Sequence, residues 1–252
     1  MPKNNNKNNK NSEIIYGKNA CLGCILSNYK NREIYKIYIQ QDKFDGYLKQ
    51  IPQQFRGIVQ KVNRHEMFVI THEESKHQGI ALSVSNFHFA EIDEVLNLKS
   101  VFVLDQVQDP HNVGNIIRSA FCFGVQAIIL PERDSCGITQ AVVRTSAGYS
   151  ESSLIVRVGN LNQALEKMKK AGFVIVGFDV NINTKDSLVD VCKKYEKVAF
   201  VFGSEGSGMR DLTKKNCDLL IKIPMVDGAE SLNVANTSAI VAYERFKNKN
   251  ID

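Results

Sequence analysis

From residue 100 onward the chain is punctuated by short runs that are apolar at nearly every position: 101–104 (VFVL), 127–130 (AIIL), 173–178 (FVIVGF), 198–202 (VAFVF) and 219–223 (LLIKI). Runs of this kind belong to strands covered on both faces, not on one. Helically spaced apolar residues separate them at 113–124, 138–148, 160–172 and 187–195, and a long amphipathic stretch follows at 232–247. Strands alternating with helices over about 150 residues predict an α/β fold, a parallel sheet with helices on both faces. Residues 13–85 have another texture. Helices are predicted at 17–28 and 43–51, and strands at 33–39, 56–61 and 79–84, which together suggest a small α/β domain of its own. Between the two, residues 86–99 read as a linker, because Asn86, Glu91, Asp93 and Glu94 break any apolar period. No internal repeat is evident.

Composition narrows the class without changing that picture. The 252 residues are 43% hydrophobic and 23% charged, near globular averages, which excludes disordered, collagenous and coiled-coil chains. No apolar run reaches the roughly 18–20 residues of a membrane span, and the first residues hold no apolar core for a secretory signal. A cytoplasmic protein is expected. The net charge of +5 is uneven: residues 1–12 carry three lysines and no acid, whereas residues 13–99 hold 11 basic against 10 acidic side chains and residues 100–252 hold 18 against 17. Net charge is therefore weak evidence for a nucleic-acid partner. The Asn/Lys-rich stretch 1–12 is expected to be a disordered basic tail. Cys21 and Cys24 are the only closely spaced cysteines. With no second pair and no ligand spacing among His65, His72, His77 and His88, ordinary thiols and no metal are expected.

In parallel α/β sheets, ligands bind beyond the carboxyl ends of the strands. Three strand-end loops here are chemically unusual. The first, after 101–104, reads DQVQDPHNVGNIIRSA: Asp109-Pro110 makes a turn, Asn112 or Asn115 can cap the following helix, and Arg118 lies one to two turns inside it. Its apolar neighbours Ile116, Ile117, Ala120 and Phe121 suggest a covered helix in which a guanidinium wants a phosphate or carboxylate partner. The second, after the fourth predicted strand of the sheet, is GSEGSGMR. It matches neither a Walker loop nor a dinucleotide fingerprint. Its glycines allow close backbone approach to a ligand or a plain chain reversal, and Glu205 favours the ligand reading because a carboxylate among glycines needs a donor to hold it. The third, after 219–223, is PMVDGAESLNVAN, where Ser231 or Asn233 opens the last helix.

Taken together, LDQVQDPHNVGNIIRSA, FVFGSEGSGM and IPMVDGAESLNVA, in that order, resemble the three signature motifs of the SpoU (TrmH-type) ribose methyltransferases of the SPOUT superfamily, over about residues 100–247. Residues 13–85 resemble, more loosely, the L30e-like RNA-binding domain of rRNA-directed members, through 16–20 (YGKNA) and 77–81 (HQGIA). The resemblance implies 2′-O-methyl transfer from S-adenosylmethionine to a ribose of RNA, most like the enzymes that modify a guanosine in large-subunit rRNA. It further implies a C-terminal trefoil knot over 100–252 and a homodimer. Carried over by position, the catalytic set is Asn112, Arg118, Glu205, Ser231 and Asn233, and the cofactor pocket is Gly203, Ile223, Met225 and Leu232. The stretch before Ser231, DGAE, departs from the rRNA-type pattern in its later glycine and added acid.

The family proposal makes Arg118 the base. An arginine pKa above about 12 speaks against that, and a phosphate-binding, orienting role suits it better, with Glu205, Ser231 and Asn233 placing the cofactor end and taking the proton directly or through water. His111, in the turn and outside the family's set, is not assigned. Three other readings remain open: a tRNA-directed enzyme of the same family, a non-catalytic ribosome-assembly factor that keeps the fold, and a Rossmann methyltransferase. The last lacks its acidic glycine-rich loop after the first strand, where LDQVQDPHN stands instead.

Overall fold

The computed structural model describes residues 12–27, 31–182 and 184–250; apart from Ser12, the tail expected over 1–12 lies outside the described residues. The chain divides into two compact units, residues 1–88 and 89–252.

The first unit is built on a four-stranded mixed sheet ordered β1-β4-β2-β3, from Ser12–Tyr16 (β1), Ile34–Gln40 (β2), Val59–Val62 (β3) and Ile80–Ser85 (β4). Its helices are Lys18–Leu26 (α1), Phe44–Leu48 (α2) and Arg64–Thr71 (α3). The sequence reading did not identify β1 or α3. The latter had a legible signal: Asn63 Oδ1 accepts from the Glu66 amide at 2.9 Å while Glu66 Oε2 accepts from the Asn63 amide at 2.7 Å, a reciprocal cap. The strand expected at 56–61 is half turn, since Gln53–Ile58 forms a 3₁₀ segment and pairing begins at Val59. Ile15, Cys21, Ile37, Ile39 and Leu82 fill the core.

His77 is buried beside β4. Its Nδ1 accepts from the Gly79 amide at 2.9 Å, so the ring is neutral, with Nε2 facing the Glu74 carbonyl at 3.2 Å. Burial is the main cause that lowers its pKa from 6.5, with Lys43 and Arg64 adding to the effect against the pull of the Glu74 carbonyl. The unfolded chain thus binds a proton that the fold rejects. This contribution to stability is complete above the unfolded value and is lost as pH falls from there toward the folded one. Acidification from neutral pH should lower the thermal midpoint and the hydrogen-exchange protection factors at 80–82, and both effects should shrink in His77→Gln, whose amide oxygen can still accept from Gly79.

The second unit holds a six-stranded, wholly parallel sheet in the order β10-β8-β9-β5-β6-β7, formed by Ser100–Leu104 (β5), Ala127–Pro131 (β6), Leu154–Val158 (β7), Val174–Phe178 (β8), Val198–Phe202 (β9) and Leu219–Ile221 (β10). Every residue of β5, β6 and β9 is buried, as two-faced cover requires. The edge strand β7 had no counterpart in the sequence reading, because its apolar run is only three residues before the exposed Arg157. The glycine-rich loop consequently follows the fifth strand of this sheet, not the fourth. Helices Ile92–Val95 (α4), Pro110–Cys122 (α5), Gln140–Thr145 (α6), Leu161–Lys170 (α7), Leu188–Lys194 (α8), Asp211–Lys215 (α9) and Val234–Asn250 (α10) complete the unit. The stretch read as a linker contributes α4, whose Val95 is fully buried in the core of this sheet.

The last helix buries Val241 and Ala242 and is further tied down by one polar side chain. Arg245 is 3% exposed, and its guanidinium donates to Ser100 Oγ (2.9 Å), to the Cys192 and Tyr195 carbonyls (3.0 and 2.7 Å), to the Lys99 carbonyl (3.3 Å) and to the Glu196 carbonyl. Burial pushes the nearby Cys192 thiol up to about 11 and the Cys217 thiol up to about 12, so neither offers a thiolate near neutrality. No helix among the described residues is long and apolar enough to cross a membrane.

Candidate active site

Strands β5 and β9 are parallel neighbours, paired from Ser100 with Val198 to Leu104 with Phe202, so the loops that leave their carboxyl ends emerge side by side. The chain order also reverses at this point. β6 and β7 lie on one side of β5, and β9, β8 and β10 on the other. A parallel α/β sheet opens its ligand crevice at such a switch.

The two loops are stapled beneath the surface. Asp105 is completely buried; Oδ2 accepts from the Arg210 amide at 2.9 Å and Oδ1 meets Arg210 Nη2 at 2.6 Å. Above the staple, residues 203–208 make a tight reversal in which the Ser204 amide donates to the Gly208 carbonyl and the Gly208 amide to the Ser204 carbonyl, each at 3.0 Å. Positive φ at Gly206 (87°) and Gly208 (70°) makes the turn possible. At its tip stands Glu205.

The donors that hold Glu205 come from the other two loops. Asn112 Nδ2 donates to Glu205 Oε1 at 2.9 Å, Asn233 Nδ2 donates to the same oxygen, and Asn233 Nδ2 also lies 3.1 Å from Asn112 Oδ1. All three predicted loops therefore meet in one hydrogen-bonded triangle, and the glycine-rich segment is both a chain reversal and a mount for a carboxylate. The asparagines are positioned by capping. Asp109, not Asn112 or Asn115, caps α5 by accepting from the His111 amide at 3.0 Å, with Pro110 in the first helical position, which puts Asn112 one turn in and 8% exposed. Asn233, not Ser231, caps α10: its Oδ1 accepts from the Ala235 and Asn236 amides at 2.9 and 3.3 Å.

Behind the triangle lies a cavity of about 450 Å³ between the ends of β8, β9 and β10. Gly203, Ile223, Met225 and Leu232, the predicted cofactor residues, all line it, as do Glu205, Ser231 and Asn233. Sequence reasoning missed Phe178, Asp179 and Lys214, which line it too. Asp179 stands directly after β8, a strand-end position that could have been noticed. Burial pushes its carboxyl upward, but Lys214 at 2.8 Å and the Asn181 amide prevail and hold it below the ordinary value.

Arg118 departs from expectation. Its helix is apolar on the buried side, but Arg118 itself is exposed, lines neither this cavity nor the triangle, and has no hydrogen-bond or ion-pair partner among the described residues. It shares a stripe of α5 with Gly114 and Phe121, and a Cβ at Gly114 would stand 2.6 Å from the Thr145 side chain, so α6 crosses close at that face. His111, read from the sequence as part of the turn, is the second residue of α5 and is exposed.

The model of the SpoU rRNA Methylase family matches residues 99–243, and the model described as RNA 2'-O ribose methyltransferase substrate binding matches residues 14–90. The chain is 32% identical to the Putative TrmH family tRNA/rRNA methyltransferase YacO of Bacillus subtilis, covering 94% of this chain and 96% of that one. It is 34% identical to an Uncharacterized tRNA/rRNA methyltransferase of Synechocystis, covering 95% of this chain but only 64% of that longer protein. Among solved structures, the AdoMet bound rRNA methyltransferase from Sinorhizobium meliloti superposes with a TM-score of 0.78 over 95% of this chain and 88% of its own, at 20% identity.

Proposed function

The chain belongs to the SpoU family of RNA methylases, and from that premise we propose that it transfers a methyl group from S-adenosylmethionine to a ribose 2′-hydroxyl of RNA. The substrate we infer is large-subunit rRNA, with a guanosine as the target. The observation that carries this reading is the triangle of Asn112, Glu205 and Asn233 standing at the rim of the 450 Å³ cavity.

The cavity suits that donor. Its volume lies within the range of small-molecule sites. Phe178, Ile223, Met225 and Leu232 offer apolar contact, and residues 222–233 form neither helix nor strand, which leaves main-chain N–H and C=O groups to recognise a nucleoside. S-adenosylmethionine, when bound, supplies a sulfonium methyl that is already electrophilic. The protein is left to align the ribose oxygen and to take its proton. Glu205 Oε1 is committed to two amide donors, so Oε2 is the oxygen free to accept that proton, directly or through water. Ser231 lines the cavity and orients the donor's polar end.

Arg118 acts from outside this set. Exposed and without a partner, it holds the RNA phosphate beside the target ribose, where a planar guanidinium fits best. Arg118→Ala should weaken RNA binding and cut turnover about tenfold to a hundredfold, and Arg118→Lys should restore binding and part of the rate. If Arg118→Lys keeps full RNA affinity yet is dead at every pH, positioning is the wrong role.

The first unit supplies RNA affinity as an L30e-like domain, and residues 100–252 carry the trefoil knot of the superfamily. The seating of α10 by Arg245 against residues 99, 192, 195 and 196 supports a tucked C-terminal segment. A homodimer is supported by an exposed apolar face, with Ile240, Tyr243 and Phe246 at three-residue spacing on α10 and Phe121 on α5. Labelled S-adenosylmethionine, purified protein and total rRNA or tRNA, followed by mapping of ribose methylations, test the whole reading. Label in 2′-O-methylguanosine of large-subunit rRNA is the expected result, and label in tRNA alone would replace the substrate.

A further inference from the structure

Glu205 has two sides. One faces the donor cavity; on the other is a second cavity of about 310 Å³ lined by Gln106, Gln108, Asp109, Asn112 and Ser207, with Val107 as its apolar contribution. Ser204, Glu205 and Ser207 line both cavities, so the tip of the glycine-rich loop is the wall between them.

Most polar groups of the second cavity are already engaged. Asp109 caps α5, the Ser204 and Ser207 hydroxyls bond each other at 2.6 Å, and Asn112 is held by Glu205. The side-chain amides of Gln106 and Gln108 are different: neither has a partner among the described residues, although Gln106 is half-buried. Gln106 also sits at φ 63°, a left-handed conformation that a glutamine seldom adopts. The neighbouring residue enforces it. The Asp105 amide donates to the Phe202 carbonyl at 2.7 Å, and its carboxylate is stapled to Arg210. The conformation persists because these bonds hold it, and it fixes the direction in which Gln106 leaves the strand end.

Resting on the methyltransferase reading, we propose that this second cavity receives the target nucleobase, and that the Gln106 and Gln108 amides read its edge. The chemistry requires a site of this kind. The base is bonded to C1′, next to the carbon that bears the reacting hydroxyl, so a ribose placed against Glu205 has its base within reach of the cavity on the far side of the wall. An amide carries a donor and an acceptor together, which matches the paired donor and acceptor on a base edge. Among the described residues no aromatic ring lines the cavity, so recognition runs through edge hydrogen bonds and not stacking, and the target nucleotide must be unpaired when it enters.

The test uses full-length protein, tritiated S-adenosylmethionine and a synthetic RNA fragment spanning the nucleotide that the wild-type enzyme methylates. The fragment is made with the natural base and with an abasic ribose at that position. Removing the base should lower wild-type kcat/KM about tenfold to a hundredfold. The double variant Gln106→Gly, Gln108→Ala should lose a similar factor on the natural fragment and almost nothing more on the abasic one, with S-adenosylmethionine affinity by calorimetry unchanged. Glycine at 106 accepts the positive φ, so the backbone is kept. If donor affinity nonetheless falls, Gln108→Glu alone, at an exposed position, replaces the double variant and should change which bases are accepted. A wild-type enzyme indifferent to the missing base, or a variant that still loses the full factor on the abasic fragment, overturns the base pocket while the methyltransferase reading stands. Protein that neither binds the donor nor labels any RNA overturns both.

Discussion

Glu205→Gln is expected to reduce methyl transfer about 10²–10⁴-fold while S-adenosylmethionine affinity stays within about threefold. The triangle explains the separation. A glutamine can set its amide oxygen where Glu205 Oε1 stands and keep accepting from Asn112 and Asn233, so the three loops remain joined. What it cannot do is accept a proton at the other position, where an NH₂ group replaces Oε2. Asn112→Ala and Asn233→Ala are the contrasting cases. Each deletes a donor and leaves a carboxylate partly unsatisfied, and Asn233→Ala also removes the cap of α10. Turnover by scintillation and donor binding by calorimetry separate the two behaviours. If Glu205→Gln retains more than about a tenth of wild-type turnover, the carboxylate is not the proton acceptor.

The second large effect is expected at Gly203. A Cβ there would lie 2.1 Å from the Gly208 carbonyl carbon, 2.2 Å from the Met209 nitrogen and 2.5 Å from the Gly208 oxygen. These are backbone atoms, so no side chain can turn aside and the reversal itself must open. The paired Ser204 and Gly208 hydrogen bonds would then break, and Glu205 would leave its donors. Displacement of a catalytic group by about an ångström already costs on the order of 100-fold in rate, and Gly203→Ala should lose at least that in turnover. Thermal unfolding should fall by roughly 1–3 kcal/mol of stability, as for overpacking elsewhere in protein interiors. Gly137→Ala, where a Cβ meets nothing within 4 Å, is the control and should leave both quantities unchanged.

The parallel sheet was legible because burial on both faces leaves an unbroken apolar run, and three of its strands are buried throughout. Two of the edge strands, β7 and β1, were not. β7 carries Arg157 and β1 pairs only with β4, so neither needs the dense apolar signature that betrays a central strand. At the candidate site, glycines and polar residues at strand ends marked three loops that the structure brings together, since strand direction gathers them at one end of the sheet. Their mutual contacts could not be read, because the Asn112–Glu205 pair spans 93 positions and Asn112–Asn233 spans 121. The strand order β9-β5 brings the first pair together, and the return of residues 222–233 from the edge strand β10 to α10, which packs on α5, brings the second. The misplacement of Arg118 has a similar origin: four apolar neighbours establish that a helix is covered, but not which side of the cylinder each residue takes. Asp105 shows the converse. An acid directly after an apolar run carries no local sign of burial, because that burial depends on Arg210, 105 positions away.

The anchoring of α10 bears on the order in which the molecule assembles. The acceptors of Arg245 lie between 49 and 146 positions earlier in the chain, so its guanidinium has nowhere to dock until the helix ending at Lys194 and the entry to β5 are in place. Closing loops of that length costs entropy before any contact repays it, which makes seating of the last helix a late event. The segment 222–233, which walls the donor cavity, is suspended between β10 and that helix and takes its shape only then. A nascent or refolding molecule would thus possess most of its architecture while still inert, and ripen into an enzyme at its final step.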